Sequence, residues 1–276
     1  MNDWTENMHT NWLETVTRWI AYRATEDNPE GLTDCSTELI EWMRQIGFTI
    51  EKHYDPKASY RPVIVATKPP VVGNKWIGFF HHYDVEPVRK TWEHDPWTLT
   101  EREQRVYGRG MADNIGPFIQ RLIFIEHIPM DVGLVFVVQG EEEIGSPFAD
   151  IIYPTLALPK VDLWIEETGY FYKNGSQRVL TVGNHALLND LVNLLENVNS
   201  EFGGMTRHRK RPLNKAFGAE RCPCLAHLLK GQPYISIGPN DDYSTVHGPN
   251  ESISINLLEQ SAAHLEAILK HMEALE

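Results

Sequence analysis

The chain has 276 residues, 42% of them apolar, and a formal charge of −13 at pH 7. This size suits one large domain or two small ones, and the composition is that of a soluble protein with a substantial core. An acidic surface repels phosphate, which argues against a nucleic-acid partner. Cys35, Cys222 and Cys224 are too few and too unevenly spaced for a disulfide framework. With a polar N-terminus and no long apolar run, the sequence predicts a cytoplasmic protein without a membrane span.

Predicted helices and strands alternate along the chain. Apolar residues at helical spacing predict the helices, and runs of β-branched and aromatic residues predict the strands. In chain order, the predicted elements are helices over residues 8–24 and 34–46, strands over 48–54, 62–68 and 76–85, a helix from Gly116, strands over 132–140, 161–167 and 178–183, a helix over 185–198, a polar and basic loop over 201–216, a strand over 233–238 and a helix over 255–274. This alternation predicts an α/β fold, a three-layer α/β/α sandwich around a mixed, mostly parallel sheet.

Histidines and acidic residues cluster directly after the predicted strands. They are His81, His82 and Asp84, then Asp113 in a glycine-rich turn, Glu141, Glu142 and Glu143, Glu166 and Glu167, and finally His247 and Glu251. Each group alone has an ordinary structural explanation, such as a buried histidine, a turn or a solvated acidic face. Functional side chains of open α/β sheets collect at the carboxyl ends of the strands, so we expect these groups to meet.

The combination of residue types indicates a metal site. Consecutive carboxylates at the end of a buried strand repel one another unless cations neutralise them. Histidine and carboxylate are ligands that zinc accepts, and a pair of metals can activate water and stabilise a tetrahedral intermediate. A remaining carboxylate beside that water would serve as general base. Asp84, two residues after His82, is placed to orient the imidazole of His82.

Five motifs, in order, resemble one known family. They are HHYDVEPV (81–88), YGRGMADNIGP (107–117), QGEEEIGS (139–146), IEETG (165–169) and HGPNESI (247–253). They are similar to motifs of the di-zinc metallopeptidase and deacylase family that includes acetylornithine deacetylase, aminoacylase, succinyl-diaminopimelate desuccinylase and glutamate carboxypeptidase. The resemblance therefore implies a zinc-peptidase-like catalytic domain. The family usually has lysine where this chain has Ile115, but that lysine is not a metal ligand.

The resemblance also implies a role for each matching residue. It implies two Zn²⁺ ions, or Co²⁺ or Mn²⁺ in their place. The implied metal ligands are His82, Asp113, Glu143, Glu167 and His247, with Asp113 as the bridge. It further implies Glu142 as general base, Asp84 as the support of His82, and a cis peptide bond after Asp113. Glu166 remains open as the alternative to Glu167, because the family pattern allows either register.

Family members usually carry a lid or dimerisation domain inserted into the catalytic domain. Here RVLTVG (178–183) resembles the strand that leads into the insertion, and HALLNDLVNLLENV (185–198) resembles the helix after it. We therefore expect the insertion to be missing near residues 183–185, so that residues 1–276 form a single catalytic domain. Such a protein would have an open site, and would be a monomer or a dimer formed without the lid.

Substrate-binding residues are less well defined by the sequence. The stretch AFGAE (216–220) is similar to the acetylornithine deacetylase branch, which makes Glu220 a candidate. Local groups that could replace the lid are Arg109, Asn240, Tyr243 and the basic run 207–211. A solvated surface is the alternative explanation for the basic run.

The predicted function is hydrolysis of an amide bond in a small peptide or an N-acyl amino acid. The open site also fits an aminopeptidase that binds a free amino group. Two further alternatives are a metalloprotein with one metal ion and a lidless metal-binding member with little or no activity. The latter would be a vestigial protein, a regulatory protein or a chain from which the lid has been removed.

Overall fold

The computed structural model describes residues 4–166, 169–183, 185–211 and 225–275. The helices in these ranges are α1 (Glu6–Tyr22), α2 (Pro29–Gln45), α3 (Gly116–His127), α4 (Ala149–Ile152), α5 (Ala186–Glu201), α6 (Leu225–Leu229) and α7 (Ile255–Glu273). The strands are β1 (Thr49–His53), β2 (Val63–Lys68), β3 (Trp76–His82), β4 (Thr100–Arg102), β5 (Arg105–Tyr107), β6 (Gly133–Gln139), β7 (Leu163–Glu166), β8 (Tyr170–Phe171), β9 (Ser176–Val182), β10 (Met205–Arg211), β11 (Tyr234–Ser236), β12 (Asn240–Asp241) and β13 (Ser252–Ser254).

The main sheet is mixed, with parallel strands at its centre. Its order is β1-β2-β6-β3-β7-β11-β9-β8-β12, and β10 pairs with β9. Strands β6, β3, β7 and β11 run parallel to one another; at one end, β2 pairs antiparallel with β6, and β1 pairs antiparallel with β2. The predicted α/β fold is confirmed. The carboxyl ends of β3, β6 and β7 share one edge of the sheet, which is where the sequence places its acidic residues and histidines.

Alternate residues of the central strands pack against opposite faces of the sheet. On β3, Ile77 and Phe79 belong to the larger core, which also contains residues of α1, α2, α3, α5 and α7. Phe80 belongs to a smaller core with residues of α4 and α6. Gly78 is required between them, because a Cβ at this position would lie 2.5 Å from the Trp164 ring. The three layers are therefore unequal, with the long helices on one face.

Helix α1 is fixed at both its start and its middle. The Thr5 hydroxyl accepts a hydrogen bond from the Met8 backbone N–H and caps the helix. Buried Trp12 donates from its indole nitrogen to the Gly116 carbonyl at 2.9 Å, which joins α1 to the first residue of α3. None of the helices in the described ranges has the length and apolar character needed to cross a membrane.

The loop predicted for residues 201–216 is wrong over residues 205–211, which form β10. This strand runs parallel to β9, from Met205 opposite Ser176 to Arg211 opposite Val182. Its basic residues conceal the pattern expected of a strand, because most of the side chains are exposed. Inward contacts come from Thr206, whose hydroxyl accepts a hydrogen bond from Asn199. The rest of the predicted loop beyond Arg211 lies outside the described residues.

A second, small sheet has the order β13-β5-β4. Strand β13 pairs antiparallel with β5, with Ser252 opposite Tyr107. Because the His247 motif precedes β13 and the glycine-rich turn follows β5, this pairing brings the two motifs together. The small sheet therefore places His247 beside Asp113.

Candidate metal centre

Four segments converge at the carboxyl edge of the main sheet. His82 ends β3, Glu142 and Glu143 form a 3-10 turn after β6, Asp113 lies in the turn before α3, and His247 lies in the loop before β13. His82 Nε2 lies 3.0 Å from Asp113 Oδ1. His247 Nε2 lies 3.1 Å from Asp113 Oδ2 and 2.9 Å from Glu143 Oε2. The structure thus brings together five of the residues that the sequence predicted for the site.

These side chains form two groups that could hold a metal ion. One group is His82, Glu142 and Glu143, and the other is Asp113, Glu143 and His247; within each group the candidate ligand atoms lie within 4.8 Å of one another. Glu143 belongs to both groups. Asp113 also links them, because its two carboxylate oxygens face different histidines. The donor set is the mixture of imidazole nitrogen and carboxylate oxygen that suits zinc and similar divalent cations.

Asp84 supports both halves of the cluster. The backbone N–H groups of Glu142 and Glu143 donate to its two carboxylate oxygens at 3.1 and 2.9 Å. His82 Nδ1 donates to the Asp84 carbonyl oxygen at 2.9 Å and lies 3.4 Å from the carboxylate. Because Nδ1 faces oxygen acceptors, it carries a proton, and Nε2 is directed at Asp113. The predicted support of His82 therefore comes mainly from the Asp84 backbone.

Without a bound cation, protons offset part of the negative charge of the cluster. Burial raises the pKa of Glu142 to about 7 and that of Glu143 to about 8. Hydrogen bonds with Asp113 and Glu143 raise the pKa of His247 to about 10. The Glu143 Oε1 atom is buried and has no hydrogen-bond partner among the described residues. Divalent cations would displace the protons of these acids and would give the buried oxygen a partner. These residues therefore fit a metal.

A buried ion pair supports the turn that carries Asp113. The carboxylate of Glu251 lies 2.7 Å from Arg109 Nη1 and accepts hydrogen bonds from the backbone N–H groups of Gly110, Ala112 and Asp113. Glu251 had no predicted role, although it lies four residues after His247 in the same motif. Arg109, a predicted substrate-binding candidate, is only 2% exposed. Its contacts make it part of the support of this turn rather than an open binding group.

The remaining candidates are placed as follows. Glu166 is buried at the end of β7, and its carboxylate accepts a hydrogen bond from the Tyr234 hydroxyl at 2.6 Å. It belongs to neither of the groups above. Glu167 and Glu220 lie outside the described residues, so their predicted roles stay predictions. Asn240 is nearly buried and donates to the Ala112 carbonyl at 3.0 Å, so it lies close to the Asp113 turn.

Two further predictions concern exposed or backbone features. The Asp113–Asn114 peptide bond is cis, as the resemblance implied. Tyr243, a candidate for replacing the lid, is 56% exposed. Its ring is approached by the cations of Arg105 and Lys173, whose charge-bearing atoms lie 5.9 and 5.1 Å from the ring centre.

Comparison with known proteins places these features in a family. The chain is 30% identical over 144 residues to the cysteinylglycine-S-conjugate dipeptidase of Corynebacterium striatum, which covers 49% of this chain and 31% of the relative. It is 40% identical over 75 residues to the Beta-Ala-His dipeptidase of Mus musculus, covering 25% of this chain and 15% of the relative. The chain thus spans a third or less of the length of these curated relatives.

The fold is similar to that of solved structures. An M20 family metallo-carboxypeptidase from Sulfolobus solfataricus aligns with a TM-score of 0.77 at 15% identity, over 96% of this chain and 99% of that chain. This likeness supports the fold alone. The family model for Peptidase family M20/M25/M40 matches residues 78–271, well over half of the sequence, and spans every motif of the cluster. The chain therefore belongs to Peptidase family M20/M25/M40.

Proposed function

We propose that this protein is a metal-dependent peptidase that hydrolyses the amide bond of a dipeptide or a similarly small peptide. Membership of Peptidase family M20/M25/M40 supports hydrolysis. The two curated relatives described above are named as dipeptidases, which favours a short peptide over an N-acyl amino acid. We further propose that two Zn²⁺ ions are the cofactors, and that Co²⁺ or Mn²⁺ can replace them.

The position of Asp113 between two histidines is the observation that carries this proposal. Each of its carboxylate oxygens lies within 3.1 Å of a different imidazole nitrogen. A carboxylate placed in this way suits a bridge between two cations. His82 would complete one end of the centre, and His247 with Glu143 would complete the other. When bound, such cations acidify water and polarise the carbonyl of the scissile amide.

Glu142 is the proposed general base. Its carboxyl belongs to the His82 group, and its backbone is held by Asp84. Burial raises the pKa of Glu142, and a carboxylate beside the attacking water can accept a proton and return it. Glu142 would accept a proton from the attacking water and deliver it to the leaving amine. Asp84 would act in this step by holding His82 and Glu142 in register.

We propose that residues 1–276 form one catalytic domain without an inserted lid. Strand β9 ends at Val182 and α5 begins at Ala186, so residues 183–185 alone connect them. A site without a lid is open to water and depends on its own rim to bind substrate. We expect the protein to be a monomer, or a dimer that does not use a lid. An open rim also suits a free amino group as the recognised end of a peptide.

Metal analysis combined with a substrate panel tests the proposal. The purified protein would be analysed for bound metal and assayed with dipeptides, β-alanyl dipeptides, N-acetyl and N-succinyl amino acids and aminoacyl anilides. We expect two equivalents of metal per chain and hydrolysis of dipeptides, lost with a chelator and restored by Zn²⁺. One equivalent would support a mononuclear protein. Two equivalents of metal without hydrolysis of any substrate would support a lidless metal-binding member with little or no activity, and would contradict the proposed activity.

A further inference from the structure

A buried histidine and a buried arginine lie directly behind the candidate metal centre. His81 is the residue before His82 on β3, and Arg121 lies on α3, eight residues after Asp113. Their relative exposures are 0% and 1%. The His81 ring stacks on Phe118 of the same helix, with ring centres 4.5 Å apart. Neither side chain belongs to the two candidate ligand groups.

Hydrogen bonds through Asn114 connect this pair to His82 and Asp113, two of the proposed ligands. Arg121 Nη1 donates to His81 Nε2 at 2.9 Å, and His81 Nδ1 lies 2.7 Å from Asn114 Oδ1. Asn114 Nδ2 then donates to the backbone carbonyl of His82 at 2.9 Å. Asn114 directly follows Asp113 in the sequence. The chain of bonds therefore runs from Arg121 to the backbone of both His82 and Asp113.

The direction of every bond in this chain is set by its two ends. Guanidinium can only donate, so His81 Nε2 must accept and Nδ1 must carry the proton. A backbone carbonyl can only accept, so Asn114 must present its amide nitrogen to His82. Its Oδ1 is then turned towards His81, where the Nδ1 proton meets it. If the proton were on Nε2, the Nδ1 lone pair would face Asn114 Oδ1, and the amide would be driven to turn.

Arg121 also joins two further strand ends. Its Nη2 atom donates to the carbonyl of Glu166 at 3.0 Å and to the carbonyl of Ile237 at 2.8 Å. Glu166 ends β7, and Ile237 follows β11. One side chain therefore holds three neighbouring strand ends at the edge where the candidate metal centre lies. Substitution of Arg121 should therefore change the geometry of the metal centre, even though Arg121 does not face it.

We propose that Arg121 is a positioning residue of the metal centre, acting through His81 to fix the Asn114 amide and, with it, the spacing of His82 and Asp113. This inference rests on the proposed function, because it takes His82 and Asp113 as metal ligands. Removal of a group that hydrogen-bonds and orients a metal ligand typically lowers the metal affinity roughly 10- to 100-fold. Arg121 would act on the geometry of the site and not on the substrate.

Three variants test the proposal, with a matched control. Arg121→Met keeps the length of the side chain but removes every donor, Arg121→Lys keeps the charge and one donor group, and His81→Phe keeps the stacking on Phe118. His264→Phe is the control, since His264 is fully buried in a separate network with Gln177 and Asn199. Each protein would be measured for Zn²⁺ affinity by chelator competition, for the visible spectrum of its Co²⁺ form, and for the melting temperature of the metal-free form.

We expect Arg121→Met and His81→Phe to weaken Zn²⁺ binding by roughly 10- to 100-fold and to alter the Co²⁺ spectrum. Arg121→Lys should recover part of the affinity, and it carries the test if Arg121→Met does not fold. His264→Phe should lower the melting temperature without changing the affinity or the spectrum. Wild-type affinity and spectrum in the Arg121 variants, with only a lower melting temperature, would overturn the inference. A wild-type protein that binds neither Zn²⁺ nor Co²⁺ would instead contradict the proposed metal centre, and the inference with it.

Discussion

The Asp84 carboxylate accepts the backbone N–H of Glu143 at 2.9 Å, although the two residues are on different strand ends. Its other oxygen accepts the N–H of Glu142 at 3.1 Å. Asp84 thus ties the segment after β3 to the segment after β6. The Asp84 carbonyl oxygen also accepts a hydrogen bond from Nδ1 of His82. The imidazole and both glutamates are consequently positioned by one residue.

Asp84→Asn tests this arrangement. An asparagine side chain has one acceptor oxygen, so its amide nitrogen would face one of the two backbone N–H donors. A buried donor without a partner costs about 1–3 kcal/mol. We expect a lower melting temperature, and Zn²⁺ affinity reduced roughly 10- to 100-fold. Asp190→Asn, on an exposed position of α5, serves as control and should change neither quantity. Unchanged Zn²⁺ affinity in Asp84→Asn would show that the ligands are positioned in another way.

Replacement of Glu142 by glutamine separates catalysis from metal binding. The variant should retain its metals, because all the proposed ligands remain, but kcat should fall by roughly 100- to 10,000-fold. Glu141→Gln is the matched control from the same motif. Glu141 is buried and its carboxylate lies 3.6 Å from Arg61 Nη2, so the loss of its charge in this variant should lower stability rather than turnover. Retention of kcat in Glu142→Gln would refute its assignment as base.

Much of the fold and of this centre was predictable from the sequence, for a physical reason. Uninterrupted apolar runs such as 132–140 predict buried strands, and parallel strands bring their carboxyl ends to one edge. His82 and Glu143 each lie in a conspicuous motif next to such a run. Their convergence therefore follows from topology alone.

Other features could not be predicted, because they depend on tertiary pairing. Nothing in the sequence around Arg121 distinguishes a buried, hydrogen-bonded arginine from an exposed one on an amphipathic helix. Arg109 similarly looks like a free cation until Glu251, 142 residues away, is brought against it. Strand β10 has a surface-like composition and is defined by its pairing with β9.

Metal affinity should rise with pH. Burial raises the pKa of Glu142 to about 7 and that of Glu143 to about 8, and hydrogen bonds with Asp113 and Glu143 raise the pKa of His247 to about 10. A cation must displace these protons, so proton competition weakens as pH increases through this range. Titration calorimetry of the metal-free protein in buffers of different ionisation enthalpy should detect proton release on Zn²⁺ binding. Affinity that is independent of pH between 6 and 8 would contradict these values.

The buried Arg109–Glu251 pair should matter more to stability than an exposed pair does. Arg109→Met would leave the Glu251 carboxylate buried without its cation, and breaking such a pair typically costs about 3–5 kcal/mol. Glu38→Gln is the control, because it breaks the pair with Arg18, whose side chain is 52% exposed. Exposed pairs contribute less than about 1 kcal/mol. Chemical denaturation would compare the two variants, and equal losses would argue against the proposed support of the Asp113 turn.

Acid should destabilise the protein in part through His264. This residue is fully buried, and burial lowers its pKa from 6.5 to about 3. His264 Nε2 donates to Asn199 Oδ1 at 2.8 Å, and Asn199 also accepts from Gln260 at 2.7 Å. These bonds join α5 to α7. The packing of α5 against α7 therefore depends on the neutral form of His264.

The sign of the pH effect follows from the two protonation states. Above pH 6.5, His264 is neutral in both the folded and the unfolded protein and has no influence. Between pH 6.5 and about 3, the unfolded chain binds a proton at this residue and the folded chain does not. Its contribution to stability is therefore lost as pH falls, with a slope of up to about 1.4 kcal/mol per pH unit. His264→Phe should be less stable than the wild type at pH 7 but lose less stability on acidification. Parallel stability curves for the two proteins between pH 7 and pH 4 would show that His264 takes up its proton without unfolding.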